Sequence, residues 1–416
     1  MVETEIKKET ALLAAVDSGE YSVDVSLAEL CELANAADVE VLGTMVQNRE
    51  KPDAGTFMGT GKLGEIKEFC ENNEVDVLIF DHELSATQIR NIEKITGIRT
   101  IDRTMLILDI FSQRAKSSEG RLQVELARQK YMLPRLAGMG ITMSRIGGGG
   151  KGGVGARRGA GETKLETDRR KIRDRIHFLS GKLKEMESRR EEQRKKRKKQ
   201  DIPIVVIVGY TNVGKSTLLN RLSQSDIFAE DMLFATLDPT ARAVELPDGR
   251  SIVMIDTVGF VRRLPHHLVE AFKSTLEEAT DADVILNVCD ASGDEAEEQA
   301  EVTTDLLKDL GAEKTPMIMV LNKCDVAKEV PDIGKNTVKI SAKTGEGIDL
   351  LLTAISKAIP ESTKRMNLLF PYIEAGIIDK IRENGIIVSQ EYENEGIIID
   401  AHVDKKLWKL VEPFCV

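Results

Sequence analysis

Residues 202–222 read IPIVVIVGYTNVGKSTLLNRL, and this stretch constrains the chain more than any other. An unbroken apolar run, strand-like in length and composition, passes at once into a glycine-bounded turn and then into a helix-like run of leucines. The turn, Gly209-Tyr210-Thr211-Asn212-Val213-Gly214-Lys215-Ser216, fits the pattern G-x-x-x-x-G-K-S. Glycines there let backbone N–H groups turn towards phosphate oxygens at a positive helix end. Lys215 then neutralises the β and γ phosphates, and the Ser216 hydroxyl is placed to ligate magnesium. The stretch predicts a nucleoside triphosphate site.

Three further segments follow in the order such a site requires. Asp256-Thr257-Val258-Gly259 comes directly after the strand-like SIVMID, which suits a magnesium-proximal aspartate and a glycine whose N–H meets the γ-phosphate. Asn322-Lys323-Cys324-Asp325 ends the apolar run MIMVL. A carboxylate at 325 accepts from the N1–H and 2-amino donors that guanine presents and adenine lacks. Ser341-Ala342-Lys343, after VKI, supplies a backbone N–H towards the guanine O6, so guanine is the predicted base. Between the first two segments lies Phe234-Ala235-Thr236-Leu237-Asp238-Pro239-Thr240, where a threonine is needed to complete the magnesium shell. Thr236 and Thr240 both qualify chemically. Such a segment is expected to order with GTP and loosen after hydrolysis.

At 416 residues the chain is too long for one ordinary domain. Strand-like runs at 10–16, 39–46, 75–80 and 97–101 alternate with helix-like runs at 27–36, 62–72, 85–95 and 103–111, which predicts βαβ crossovers and a mostly parallel sheet. Ser85 and Gln88 have the spacing of a capping box. Leu122, Leu126, Leu133 and Leu136 then mark one helical face, and Leu165, Ile172, Ile176, Leu179, Leu183 and Met186 another. They predict an antiparallel helical hairpin whose second helix runs from about Thr163 to Lys199, its end RKKRKK, Arg194 to Lys199, fraying into a linker. A second βα series over 201–360 reads as a doubly wound domain, and residues 361–416 as a small α+β unit. The expected domains are therefore 1–115, 116–200, 201–360 and 361–416.

Charge separates the parts. The chain carries 69 acidic against 58 basic residues, yet Arg157 to Gln200 holds 18 Lys and Arg against 8 Asp and Glu. Between the hairpin helices lies the long segment from Gly138 to Lys164, with six glycines from Gly147 to Gly153 and the cations Arg145, Lys151, Arg157 and Arg158. Loops of this length are usually functional or disordered; a flexible linker is one reading, and binding of a large polyanion is favoured because a hairpin tip has nothing to link. The five cysteines have no CxxC spacing, which argues against zinc or a disulfide framework. With no apolar stretch near 20 residues and no secretory signal, a soluble, cytoplasmic chain without a membrane span is expected, and a monomer is the expected state.

The four segments in this order resemble a translation-factor-class GTPase domain. FATLDPT, with Phe260 directly after Gly259, is similar to the HflX family, as are DRTMLILDIFSQRAKSSEGRLQVELARQKYMLPRL, Asp102 to Leu136, and GAGETKLETDRRKIRDRI, Gly159 to Ile176. The resemblance favours Thr236 over Thr240 as magnesium ligand and γ-phosphate sensor, beside Lys215 and Gly259 as catalytic groups. It implies a ribosome-associated GTPase acting on the large subunit in splitting or rescue of stalled ribosomes, with the glycine loop on ribosomal RNA. It also implies that Asn212 holds a monovalent cation, potassium, near the phosphates. Phe260 stands where many small GTPases carry a water-orienting glutamine, so hydrolysis should be slow alone and stimulated by the ribosome. The glycine loop is longer than the family's usual GGGIGTRGPGET and has Ala160 in place of proline. A competing reading is a GTP-dependent switch whose hairpin docks on a protein or another structured RNA.

Overall fold

The structure, a computed structural model, describes residues 8–136, 158–199, 202–223, 240–263, 268 and 279–416, the last stretch with short breaks at 294, 328–329, 332–333, 335, 360–362, 385, 394 and 405–406. The first unit is a four-stranded parallel sheet in the order β2-β1-β3-β4, formed by β1 (Glu9–Asp17), β2 (Val39–Asn48), β3 (Val77–Phe80) and β4 (Arg99–Asp102). Alternate residues of β1 feed opposite cores. Ala11, Leu13 and Ala15 pack with helices α1 (Val23–Ala36) and α4 (Arg103–Arg114), while Leu12, Ala14 and Val16 pack with α2 (Thr60–Asn72) and α3 (Ala86–Thr96). Burial on both faces explains why β1 is apolar throughout rather than alternating. Ser85 and Gln88 form the expected capping box on α3.

The hairpin is present. Helix α5 (Ser118–Arg135) packs antiparallel on α6 (Arg158–Lys199), joined by Glu125–Arg175 at 2.7 Å and Glu119–Arg190 at 2.8 Å. On α6 Leu179 is buried and Ile172, Ile176, Leu183 and Met186 are half-buried, all on the stripe the spacing marks; the side chain of Leu165 lies outside the described residues. Two expectations are corrected. The helix ends at Lys199 as expected, but it begins at Arg158 rather than near Thr163, and Arg194 to Lys199 are helical instead of frayed. A run of six cations carries no apolar stripe, but Lys and Arg are good helix formers and can extend a helix already nucleated by packing. The glycine loop itself, including Arg145, Lys151 and Arg157, lies outside the described residues.

The third unit has six strands in the order β10-β9-β8-β5-β7-β6. These are β5 (Ile204–Gly209), β6 (Thr240–Glu245), β7 (Ser251–Asp256), β8 (Val284–Asp290), β9 (Met317–Asn322) and β10 (Thr337–Lys339). All pairs are parallel except β6 on β7, an antiparallel edge. Helices α7 (Lys215–Leu222), α8 (Ala296–Asp309) and α9 (Ile348–Ala358) accompany the sheet. Strand β6 is an addition to the sequence reading, which has no strand there. The final unit is an antiparallel sheet, β11 (Thr363–Phe370), β13 (Gly396–Asp404) and β12 (Ile386–Glu393) in that order, with helix α10 (Gly376–Asn384) and the short α11 (Trp408–Val411). Among the described residues no helix is long and apolar enough to cross a membrane.

Candidate active site

The site forms where β5 passes into α7. Gly209 ends the buried strand at φ 144°, and a Cβ there would lie 2.2 Å from the Val288 carbonyl of β8. Gly214 takes φ 90° to open the helix, and a Cβ would lie 2.4 Å from the Asn322 amide nitrogen. Both positions therefore need glycine on steric grounds. Between them Asn212 holds φ 61°, a left-handed conformation that asparagine tolerates better than most residues. Lys215 is buried, with Nζ donating to the Tyr210 carbonyl at 2.6 Å. Burial pushes its pKa down to about 8, against the opposing pull of Asp256. The Ser216 hydroxyl donates to Asp256 Oδ2 at 2.7 Å, so a hydroxyl and a carboxylate from two different elements meet at the helix opening.

Beyond β7, Thr257 is buried and its hydroxyl donates to the Ile207 carbonyl at 2.8 Å. Val258 is buried and Gly259 rests on the phosphate loop, where a Cβ would stand 2.8 Å from both Lys215 Nζ and Thr211 Cα. The next residue, Phe260, is stitched to the loop through its backbone. Its N–H donates to the Gly209 carbonyl at 3.0 Å, and its carbonyl accepts from Thr211 N–H at 2.8 Å.

At the other end, one buried side chain joins three segments. Asn322 Nδ2 donates to the Val213 carbonyl at 2.7 Å and its Oδ1 accepts from Ala342 N–H at 2.8 Å. Lys323, at φ 64°, pairs with Asp290 at 2.7 Å, and Asp325 is exposed. Ser341 is buried and caps its own turn by accepting from Thr344 N–H at 3.1 Å, while Lys343 is exposed. Thus the segments at 209–216, 256–259, 322–325 and 341–343 meet at the ends of β5, β7, β9 and β10. Phe234 to Asp238, with Thr236, lie outside the described residues. Thr240 is the first residue of β6, opposite Asp256 in the β6–β7 register.

Several contributors escape the sequence reading. Arg221 of α7 donates to the Thr344 carbonyl at 2.6 Å and so clamps the 341–345 turn. Arg262 and Arg263 dock onto the first unit through Glu29, Asp81 and Arg103. The one local signal was the pair of arginines directly after DTVGFV.

Family models match three consecutive parts of the chain, described as GTP-binding GTPase N-terminal over residues 24–112, GTP-binding GTPase Middle Region over 114–197, and 50S ribosome-binding GTPase over 204–323. The chain is similar to the GTPase HflX of Caldanaerobacter subterraneus subsp. tengcongensis, 47% identical over 98% of this chain and 94% of that protein. It is 44% identical to the GTPase HflX of Lacrimispora saccharolytica over 98% of this chain and 96% of that protein. To the GTPase HflX of Escherichia coli it is 40% identical over 89% of this chain and 88% of that protein.

Proposed function

The chain belongs to the HflX family of GTPases, and from that premise we propose that it binds GTP along Gly209–Ser216, selects guanine through Asn322, Lys323, Asp325 and Ser341–Lys343, and couples hydrolysis to the large ribosomal subunit. The observation that carries the nucleotide assignment is the Asn322 side chain. It bonds the phosphate loop at Val213 and the 341–343 turn at Ala342, so the two ends of one nucleotide site are set by a single buried amide. Lys215 is held in place by the Tyr210 carbonyl and supplies the charge opposite the phosphates.

A guanine-nucleotide GTPase of this family implies Mg2+. The residues fit it: the Ser216 hydroxyl and Asp256 carboxylate are hard oxygen donors brought to 2.7 Å at the loop mouth. When bound, the ion offsets the negative charge of the phosphate oxygens. We assign Thr236 as a further ligand and Asn212 as the residue holding potassium, on the family resemblance. Gly259 presents its N–H to the γ-phosphate once the Phe260 stitch opens.

The basic glycine loop at the hairpin tip contacts ribosomal RNA, and the chain acts as a cytoplasmic monomer in splitting or rescue of stalled ribosomes. Its support is the position of the loop between α5 and α6 and the cationic composition of 157–200. Co-sedimentation with separated ribosomal subunits, comparing GDP with a non-hydrolysable GTP analogue at physiological salt, tests this. Analogue-dependent pelleting with the large subunit is the expected result. Absence of pelleting in both states removes the ribosome and leaves a switch that docks on a protein or another RNA.

A further inference from the structure

Four residues between β3 and α3, Asp81-His82-Glu83-Leu84, touch two distant parts of the molecule. The Asp81 carboxylate is fully buried. Its Oδ1 accepts from Arg103 Nη1 at 3.0 Å, and its Oδ2 accepts from the Ser26 hydroxyl at 2.8 Å, from the Tyr21 hydroxyl at 3.2 Å and from Arg263 Nη2. Arg103 continues the network to Glu29 at 2.8 Å and to the Arg262 carbonyl at 3.3 Å, and Glu29 accepts from Arg262 N–H at 3.1 Å. Arg262 and Arg263 are the third and fourth residues after Gly259. Arg263 is held at φ 50°, a conformation costly for a residue with a Cβ that persists only when its surroundings enforce it.

The other end of the same turn grips the root of the glycine loop. Arg135 Nη2 donates to Glu83 at 2.7 Å and to the Leu84 carbonyl at 2.9 Å, and Nε donates to that carbonyl at 3.2 Å. Its guanidinium lies 3.6 Å from the centre of the Tyr131 ring. Leu84 N–H is tied in turn to the buried Asp102 at 3.0 Å. Arg135 ends α5, and Leu136 is the last described residue before the loop.

We propose that Asp81–Leu84 is a coupling element through which the Arg135 end of α5 and the Gly259 segment bias each other. Asp81 and Glu83 are two residues apart, so their Cα atoms lie within about 7 Å and only His82 separates the two grips. A pull on Arg135 shifts the turn, weakens the hold of Asp81 on Arg263, and frees Phe260 from Thr211. By linkage, a nucleotide that favours the freed segment loosens the root of the loop equally. Asp81 acts here as a positioning residue through Arg263. The direction of signalling rests on the loop being the polyanion-binding element; the coupling itself does not.

The test uses the full chain without ribosomes, so its outcome is independent of ribosome binding. Single-turnover GTP hydrolysis and the affinity ratio of a GTP analogue to GDP are measured for Glu83→Gln, Arg135→Gln, Arg263→Gln and the Glu83→Gln/Arg263→Gln double variant. Among the described residues, neither Glu83 nor Arg135 has a hydrogen bond or ion pair to the phosphate loop or to residues 256–263. Coupling predicts that both their variants raise the rate and shift the ratio towards the analogue by about threefold, and that Glu83→Gln adds nothing once Arg263 is changed. Wild-type rates and ratios in Glu83→Gln, or effects that multiply in the double variant, overturn the proposal. Glu83 is half exposed and the Leu84 bonds survive its replacement, so this variant is informative even where Arg135→Gln fails to fold.

Discussion

Thr211 N–H donates to the carbonyl of Phe260 at 2.8 Å, which closes the Gly259 segment onto the phosphate loop. A backbone N–H of the loop is thereby spent on protein rather than on phosphate. On the proposed placement of the nucleotide, a γ-phosphate would compete with this closed arrangement for the same stretch of backbone.

Gly259 should tolerate no side chain during turnover. The Cβ of alanine would meet Lys215 Nζ and Thr211 Cα at 2.8 Å, inside any normal contact distance. Gly259→Ala is expected to leave GDP affinity within about threefold of wild type and to slow single-turnover hydrolysis by about tenfold or more, as misplacement of a transition-state donor does. Fluorescent-nucleotide titration and rapid quench would separate the two effects. Equal loss in both would show that Gly259 only supports the loop.

The proposed base selection runs through Asp325, whose carboxylate would accept two charge-assisted hydrogen bonds from guanine, each contributing about 1.5–3 kcal/mol. Asp325→Asn should therefore weaken GDP binding by about 100-fold. It should improve binding of xanthosine diphosphate, whose carbonyl at position 2 accepts from the new amide. Calorimetric titration with both nucleotides decides it. Unchanged GDP affinity would move base selection elsewhere in the site.

What the sequence made legible follows from range. Gly209 to Ser216 could be read because strand, turn and helix are adjacent, and the glycines answer local steric demands at Val288 and Asn322. The capping box at Ser85 was equally local. Strand β6 escaped notice because only alternate residues face inward and the one fully buried apolar side chain is Val244. The contact between Asp81 and Arg263 spans 182 positions, and neither residue belongs to a periodic pattern. A buried aspartate in FDHE and two arginines after a glycine segment carry no mark of each other until the fold brings them together.

His82 predicts an acid sensitivity at the same junction. Burial lowers its pKa from 6.5 to about 4; Asp81 opposes the shift, and Arg263 and Arg103 reinforce it. Its Nε2 lies 2.7 Å from the Tyr21 hydroxyl. The folded chain thus keeps this imidazole neutral where the unfolded chain protonates it, so the stabilisation is complete above pH 6.5 and is lost as pH falls towards 4. The difference amounts to about 3 kcal/mol. His82→Gln should lose less stability than wild type between those two values in thermal melts. Parallel pH profiles would show that His82 titrates normally.

Asn212 gives a cation test in which backbone and side chain can be separated. Its φ of 61° suits glycine as well as asparagine, so Asn212→Gly preserves the loop while removing the amide. Wild type is expected to hydrolyse GTP faster in potassium than in sodium, and the glycine variant to show no preference. Equal wild-type rates in the two salts would remove the monovalent ion from the site.

The loop between α5 and α6 should reveal itself through salt. Each phosphate neutralised on a nucleic acid contributes about 0.7–0.9 to the slope of log affinity against log salt. Changing Arg145, Lys151, Arg157 and Arg158 together to glutamine should lower that slope by about three for binding to the large subunit, and weaken binding most at low salt. A docking arm for protein would behave otherwise: the slope would stay near wild type, and binding would respond instead to changes along the half-buried Ile172, Ile176, Leu183 and Met186 stripe. Polar replacement at Leu183 beside the four-fold loop variant, compared in the same sedimentation assay, separates RNA contact at the tip from protein contact along the helices.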